Sequence, residues 1–94
     1  MLEKNKGFAV VKIEIYTTPI CGFCNAAKRL LEKKGVTFEE FDVMTEPLKR
    51  KEMTERSGGN TSVPQIFVNG KHLGDCSEIM EMDQEGVLDA RLGL

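Results

Sequence analysis

Hydrophobic and polar positions alternate at the start of the readable pattern. Val11, Ile13 and Ile15 fall on one side, and Lys12, Glu14 and Tyr16 on the other, which is the period of a β-strand. Thr17-Thr18-Pro19-Ile20 interrupts it. From Cys24 to Lys34 the period changes. Ala27, Leu30 and Leu31 share one helical face, and Gly35 suits the position just past a helix end. Val36–Val43 predicts a second strand, although its alternation slips between Phe38 and Phe41. A second helix is expected from Thr45 as N-cap, with Pro47 tolerated in its first turn and Gly58-Gly59 ending it. Gln65–Val68 reads as a third strand. Asn69-Gly70 is a two-residue hairpin signal, so Lys71–Leu73 should return antiparallel. Asp75-Cys-Ser-Glu78 has the form of a capping box and opens a third helix. Val87, Leu88 and Leu92 suggest a last short helical piece.

The predicted order is β-α-β-α-β-β-α, an α/β arrangement. Its first three elements can form a right-handed crossover with parallel strands, and the hairpin adds two strands running the other way. A four-stranded mixed sheet flanked by helices is the expected architecture. Residues 1–8 read as a frayed N-terminus and residues 9–94 as one domain.

Composition narrows the function. The 94 residues are 40% hydrophobic and 30% charged, the balance of a globular chain, and the net charge is −2. No basic excess argues for nucleic acid. No apolar run reaches membrane length, and Lys12 and Glu14 break the stretch that would serve as a signal-peptide core. The three cysteines, an odd number, do not fit a secreted disulfide framework. A reducing, cytoplasmic location follows, where cysteines serve redox chemistry or metal binding.

Cys21-Gly-Phe-Cys24 carries the chemistry. It sits where a strand ends and a helix begins, so unpaired N–H groups of the first turn face Cys21. They should depress its pKa from ~8.5 into the range of roughly 3.5–7.5, with a small addition from Lys28 and Arg29. The thiolate is the species that attacks disulfides. Cys24, one turn further in, should be less exposed and able to resolve a mixed disulfide on Cys21. Two other readings stay open. One is a structural disulfide, although so short a loop removes little unfolded-state entropy. The other is a zinc module in which His72 and Cys76 complete the ligand set.

Through three ordered motifs the chain resembles the glutaredoxin family from Val11 onward. The resemblance rests on Ile15-Tyr-Thr-Thr-Pro-Ile-Cys-Gly-Phe-Cys24, on Ser62-Val-Pro-Gln-Ile-Phe-Val-Asn-Gly70 and on His72-Leu-Gly-Asp-Cys76. It implies a thioredoxin-like fold and a redox-active disulfide, with Cys21 as nucleophile and Cys24 as resolving thiol. It implies glutathione as co-substrate in reducing protein disulfides and glutathionylated proteins. A cis Val63–Pro64 peptide should face Cys21, with Ser62 and Val63 offering backbone groups to glutathione. One ligand carboxylate would meet the N–H groups of Cys76 and Ser77, and the other would meet Arg50. Phe23 would line the groove.

The departures are informative. Thr18 stands where many relatives carry a lysine, so a positive partner must come from Lys12 or Lys71, or is missing. Asp75 replaces a glycine, and Ser77 stands where the resemblance places an aspartate that holds the glutathione amino group, a role that Asp75 would take over or leave unfilled. Gly22 and Phe23 match the single-thiol branch that assembles iron–sulfur clusters. An alternative is therefore a dimer in which Cys21 of each chain and two glutathione thiolates hold a 2Fe-2S cluster. Otherwise the chain should be a monomer with no resident metal. Of the remaining residues, Cys76 is read chiefly as a half-buried residue at a helix start, and His72 as a surface strand residue.

Overall fold

The computed structural model describes residues 11–94. The expectation for residues 1–8 lies outside them. The elements are β1 (Ile13–Thr17), α1 (Gly22–Lys33), β2 (Glu39–Asp42), α2 (Pro47–Arg56), β3 (Gln65–Val68), β4 (Lys71–Gly74), α3 (Cys76–Gln84) and α4 (Leu88–Arg91). The order matches the sequence expectation with the short terminal helix added. The strands form one sheet in the order β2-β1-β3-β4. β1 runs parallel to β2 and antiparallel to β3, which pairs antiparallel with β4.

β1 is central, and this changes what its alternation means. All five of its residues are buried, Glu14 and Thr17 included. The two faces are separated as the period requires, but both are covered. Ile13 and Ile15 pack with Ala27 and Leu31 of α1 and with Ile79 of α3, whereas Tyr16 packs with Phe67 and with Met53 of α2. The same geometry resolves the slip in β2. The strand begins only at Glu39, and Phe38 packs on the α1 side while Phe41 packs on the α2 side. No slip exists; the two aromatic rings serve opposite faces.

The start of α2 differs from expectation. Its N-cap is Glu46, not Thr45, and Pro47 takes the first helical position. Proline fits there because the N–H it lacks has no helical partner anyway. Thr45 is one residue too early, and its hydroxyl turns back to the Asp42 carbonyl at 3.4 Å. The hairpin behaves as predicted. Asn69 and Gly70 both have positive φ, 52° and 82°, the backbone of a type I′ turn.

Candidate functional site

β1 and β2 are parallel, so their C-terminal ends lie at one end of the sheet. β1 delivers the chain there through Thr18-Pro19-Ile20 to Cys21, which is the N-cap of α1. Cys21 stands half-buried at the helix start, whereas Cys24 is completely buried. The two are joined as a disulfide, with Cα atoms 5.2 Å apart. The Cys24 amide donates to Cys21 Sγ at 3.0 Å. A sulfur that accepts an amide hydrogen bond at a helix N-terminus is placed where negative charge is favoured.

Lys28 does not contribute as expected. Its ammonium lies 3.0 Å from Glu40, which also accepts the Thr17 hydroxyl at 2.6 Å. Burial alone would raise the Glu40 pKa, but the hydroxyl and the ammonium overcome it and hold the carboxyl below its usual value. The Lys28 charge is thus committed.

A groove of about 230 Å³ takes in Phe23, which stands between the two cysteines in the chain, together with Ser62, Val63, Pro64, Asp75, Cys76 and Ser77. Phe23 projects from the first turn of α1 and is 71% exposed. The Val63–Pro64 peptide is cis. Asp75 caps α3: its Oδ1 accepts the Glu78 amide at 2.9 Å and the Ser77 hydroxyl at 3.2 Å. The Glu78 carboxylate accepts the Asp75 amide in return, at 2.9 Å, which completes the predicted capping box. The first helical hydrogen bond to a carbonyl runs from Ile79 to Asp75, so the amides of Cys76 and Ser77 are not used by the helix. Cys76 is 4% exposed, and burial together with the neighbouring Asp75 charge raises its thiol pKa. It remains a protonated thiol.

Seven of the eight residues singled out from sequence for ligand binding therefore share one groove. Arg50 is the exception. Its guanidinium donates to the Thr61 carbonyl at 2.8 Å, which holds the loop leading into Ser62. Lys12 and Lys71 do not line this groove. Lys12 lies toward Glu14 in a separate polar groove on the α2 side, and Lys71 lies beside His72 and Arg91. The zinc arrangement is not formed. His72 Nε2 pairs with Gln65 Oε1 at 2.6 Å, and among the described residues no three His, Cys, Asp or Glu side chains converge to hold a metal ion.

One polar cluster escaped the sequence reading. Arg56 donates to Tyr16 at 2.6 Å and to Glu14 at 2.9 Å, and the Tyr16 hydroxyl donates to Glu52. The guanidinium also lies over the Phe67 ring, 4.3 Å from its centre. Desolvation by burial first, then the bond to Glu52, pushes the Tyr16 pKa up to about 12. The only sequence hint was the spacing of Glu52 and Arg56, one turn apart on α2.

Comparison with known proteins gives a consistent result. The family model described as Glutaredoxin matches residues 13–73. Glutaredoxin 3 of Escherichia coli is 43% identical over 83 residues, 88% of this chain and 99% of that protein. A glutaredoxin of Pseudomonas aeruginosa is 41% identical over 80 residues, 85% of this chain and 94% of its own. Among solved structures, glutaredoxin from Brucella melitensis is similar at a TM-score of 0.75 and 44% identity, covering 87% of this chain and 88% of that one. A buckwheat glutaredoxin–glutathione complex is similar at a TM-score of 0.78 and 25% identity, covering 87% and 76%.

Proposed function

This chain belongs to the glutaredoxin family, and from that premise we propose that it reduces protein disulfides and glutathione mixed disulfides, with Cys21 attacking and Cys24 resolving. Thiol–disulfide oxidoreduction follows from the family. The division of labour and the use of glutathione are the proposal.

The observation that supports it is the inequality of the two sulfurs. Cys21 is half-buried and accepts an amide hydrogen bond, whereas Cys24 is fully buried. In the reduced protein the Cys21 thiolate attacks the glutathione sulfur of a glutathionylated protein. The protein leaves as a thiolate, and a Cys21–glutathione disulfide forms. A second glutathione thiolate then attacks the glutathione sulfur, which releases oxidised glutathione and restores the Cys21 thiolate. With a protein disulfide, Cys21 attacks one sulfur and the other leaves as a thiolate; Cys24 then attacks the Cys21 sulfur and expels the reduced partner, and two glutathione thiols reduce the resulting Cys21–Cys24 disulfide. The groove of Phe23, Ser62, Val63, Pro64, Asp75, Cys76 and Ser77 suits an extended peptide thiol such as glutathione, which would add to the Val63 backbone as a short strand. Arg50, near the Ser62 end through Thr61, would meet one ligand carboxylate bidentately by giving up that carbonyl.

The test is a coupled glutathione assay on a small mixed disulfide. Cys21→Ser is expected to fall at least about a thousandfold, to background. Cys24→Ser keeps part of this activity, because glutathione can resolve the intermediate, but loses reduction of protein disulfides. Equal loss in both variants overturns the assignment.

A second reading rests on the same exposure difference. Only Cys21 of the pair can present its sulfur outward, and no set of ligands converges within one chain among the described residues. That donor set fits a 2Fe-2S cluster shared by two chains and completed by two glutathione thiolates. It does not fit a resident metal of a single chain. Bound there, the cluster would supply electron or cluster transfer. A solved structure from work on metal binding of glutaredoxins is similar to this chain at 42% identity and a TM-score of 0.66. Anaerobic reconstitution with iron, sulfide and glutathione should give a brown dimer that Cys21→Ser cannot form. A colourless monomer sinks this reading.

A further inference from the structure

Gln65 is 2% exposed, so its side-chain amide must find partners inside the protein. Nε2 donates to the Ser62 carbonyl at 3.1 Å, with the Ser62 hydroxyl at 3.4 Å. A carbonyl only accepts, so the amide nitrogen faces Ser62 and the amide oxygen faces the other way. There Oε1 meets His72 Nε2 at 2.6 Å. His72 is therefore the donor, and its ring carries a proton on Nε2. The ring also packs against Phe67, with centroids 5.1 Å apart. A chain of hydrogen bonds thus runs from β4 through Gln65 to Ser62. The attack by Cys21 uses neither His72 nor Gln65.

Ser62 and Val63 line the groove. The loop that leads to them is exposed from Gly58 to Ser62, and two bonds tie its end. Arg50 holds the Thr61 carbonyl at 2.8 Å, and Gln65 holds the Ser62 carbonyl. When Arg50 gives up Thr61 to meet a ligand carboxylate, the Gln65 bond is the one of the two that remains. We propose that His72 is a positioning residue for ligand binding: it orients Gln65, which fixes Ser62 and so the Val63 backbone to which an extended peptide thiol would add. The inference rests on the proposed use of that groove by glutathione. Without the ring N–H, Gln65 Oε1 is left buried and unpaired, which is costly. The amide is then free to turn toward other donors, and the Ser62 carbonyl loses its fixed direction. The loss falls on ligand alignment, because Cys21 Sγ keeps the Cys24 amide.

A single-turnover measurement separates the two. A reporter peptide with one cysteine is prepared as its mixed disulfide with glutathione and with 2-mercaptoethanol, which has no peptide backbone to pair with Val63. Reduced protein supplies both electrons. The Cys21 thiolate attacks the small-thiol sulfur, and the peptide leaves as a thiolate. Cys24 gives its proton to solvent, attacks the Cys21 sulfur and releases the small thiol as the intramolecular disulfide closes. The readout is the ratio of the glutathione rate to the mercaptoethanol rate, divided by the same ratio with dithiothreitol to remove intrinsic reactivity. His72→Phe keeps a ring on Phe67 but has no N–H, and the ratio should fall about fivefold, the effect of one neutral hydrogen bond. His72→Gln returns an amide N–H to that side of Gln65 and should restore most of the ratio. Gln65→Leu cuts the chain in its middle and should lower the ratio as far, and the double variant His72→Phe with Gln65→Leu no further. Rates with the mercaptoethanol disulfide should stay near native in every variant, which a general loss of structure would not allow. A ratio unchanged in His72→Phe or in Gln65→Leu, equal slowing of both disulfides, or no recovery in His72→Gln overturns the role of His72 alone. A native chain without preference for the glutathione disulfide overturns the use of glutathione, and no Cys21-dependent reduction of either disulfide overturns the attack; each takes this inference with it.

Discussion

Tyr16 shows how much one residue can report. It is the single tyrosine of the chain, and there is no tryptophan, so absorbance near the tyrosinate band follows this hydroxyl alone. In the fold its pKa lies at about 12 because burial and the bond to Glu52 both oppose ionisation. In the unfolded chain it reverts to about 10. Below pH 10 both states hold the proton and the stabilisation is complete. Between pH 10 and 12 the unfolded state has released it and the folded state has not, so stability falls as pH rises. The loss should reach about 2–3 kcal/mol, and Tyr16→Phe should be spared it. Denaturant titrations of both proteins across that window check the difference. A tyrosinate band rising near pH 10 in the folded protein refutes it. Little of this was legible in sequence. Cys21, Cys24 and the Asp75 cap could be read because their chemistry is local, settled within three or four residues. Glu14 and Arg56 are 42 residues apart, and nothing in either neighbourhood points to the other.

Elements were legible where turn and cap chemistry is strong, and blurred where tertiary cover decides. β3 was found at its observed bounds, because a positive-φ Asn-Gly pair and Pro64 bracket it. α1 was placed two residues late, since Cys21 is not among the residues usually recognised as N-caps. Its sulfur nevertheless accepts the Cys24 amide as a capping oxygen would. That substitution is the structural core of the site: the atom that ends the helix is also the atom proposed to attack. At α2, Asp42 competes for the turn. Its carboxylate accepts the Met44 amide at 2.8 Å, and this local bond delays helix entry until Pro47. The β2 strand shrank for a related reason. Val36 and Phe38 are apolar enough to read as strand, but they pack on the α1 side as part of the connection, before pairing with β1 begins at Glu39.

At the scale of the whole molecule, a four-stranded sheet divides the interior into two packed regions, and Cys21 hangs from the end of the strand between them. The α1–α3 side holds Ile15, Leu31, Ile66 and Ile79, and the α2 side holds Tyr16, Val43, Met53 and Phe67. The sequence pattern announced the first side through the helical period of α1. It hid the second, because a buried tyrosine and glutamate on β1 look like a solvent face. If the sheet insulates the two regions, substitutions in them should not feel each other. Ile79→Val should cost about 1 kcal/mol and Met53→Ala about 2–5 kcal/mol, each through lost packing and the cavity left behind. With no shared partner and the sheet between them, the double variant should equal the sum within about 0.5 kcal/mol. Both costs sit inside a typical domain stability of about 5–15 kcal/mol, so urea unfolding can measure all four proteins. A coupling above about 1 kcal/mol means that β1 shifts as a unit when either side is emptied. In that case Met53→Ala, remote from the disulfide in sequence and on the far face of the sheet, should also alter the rate at which Cys21 reacts with a thiol reagent. Additive stability with an unchanged Cys21 rate is the expected result, because a strand held on both faces fixes its end.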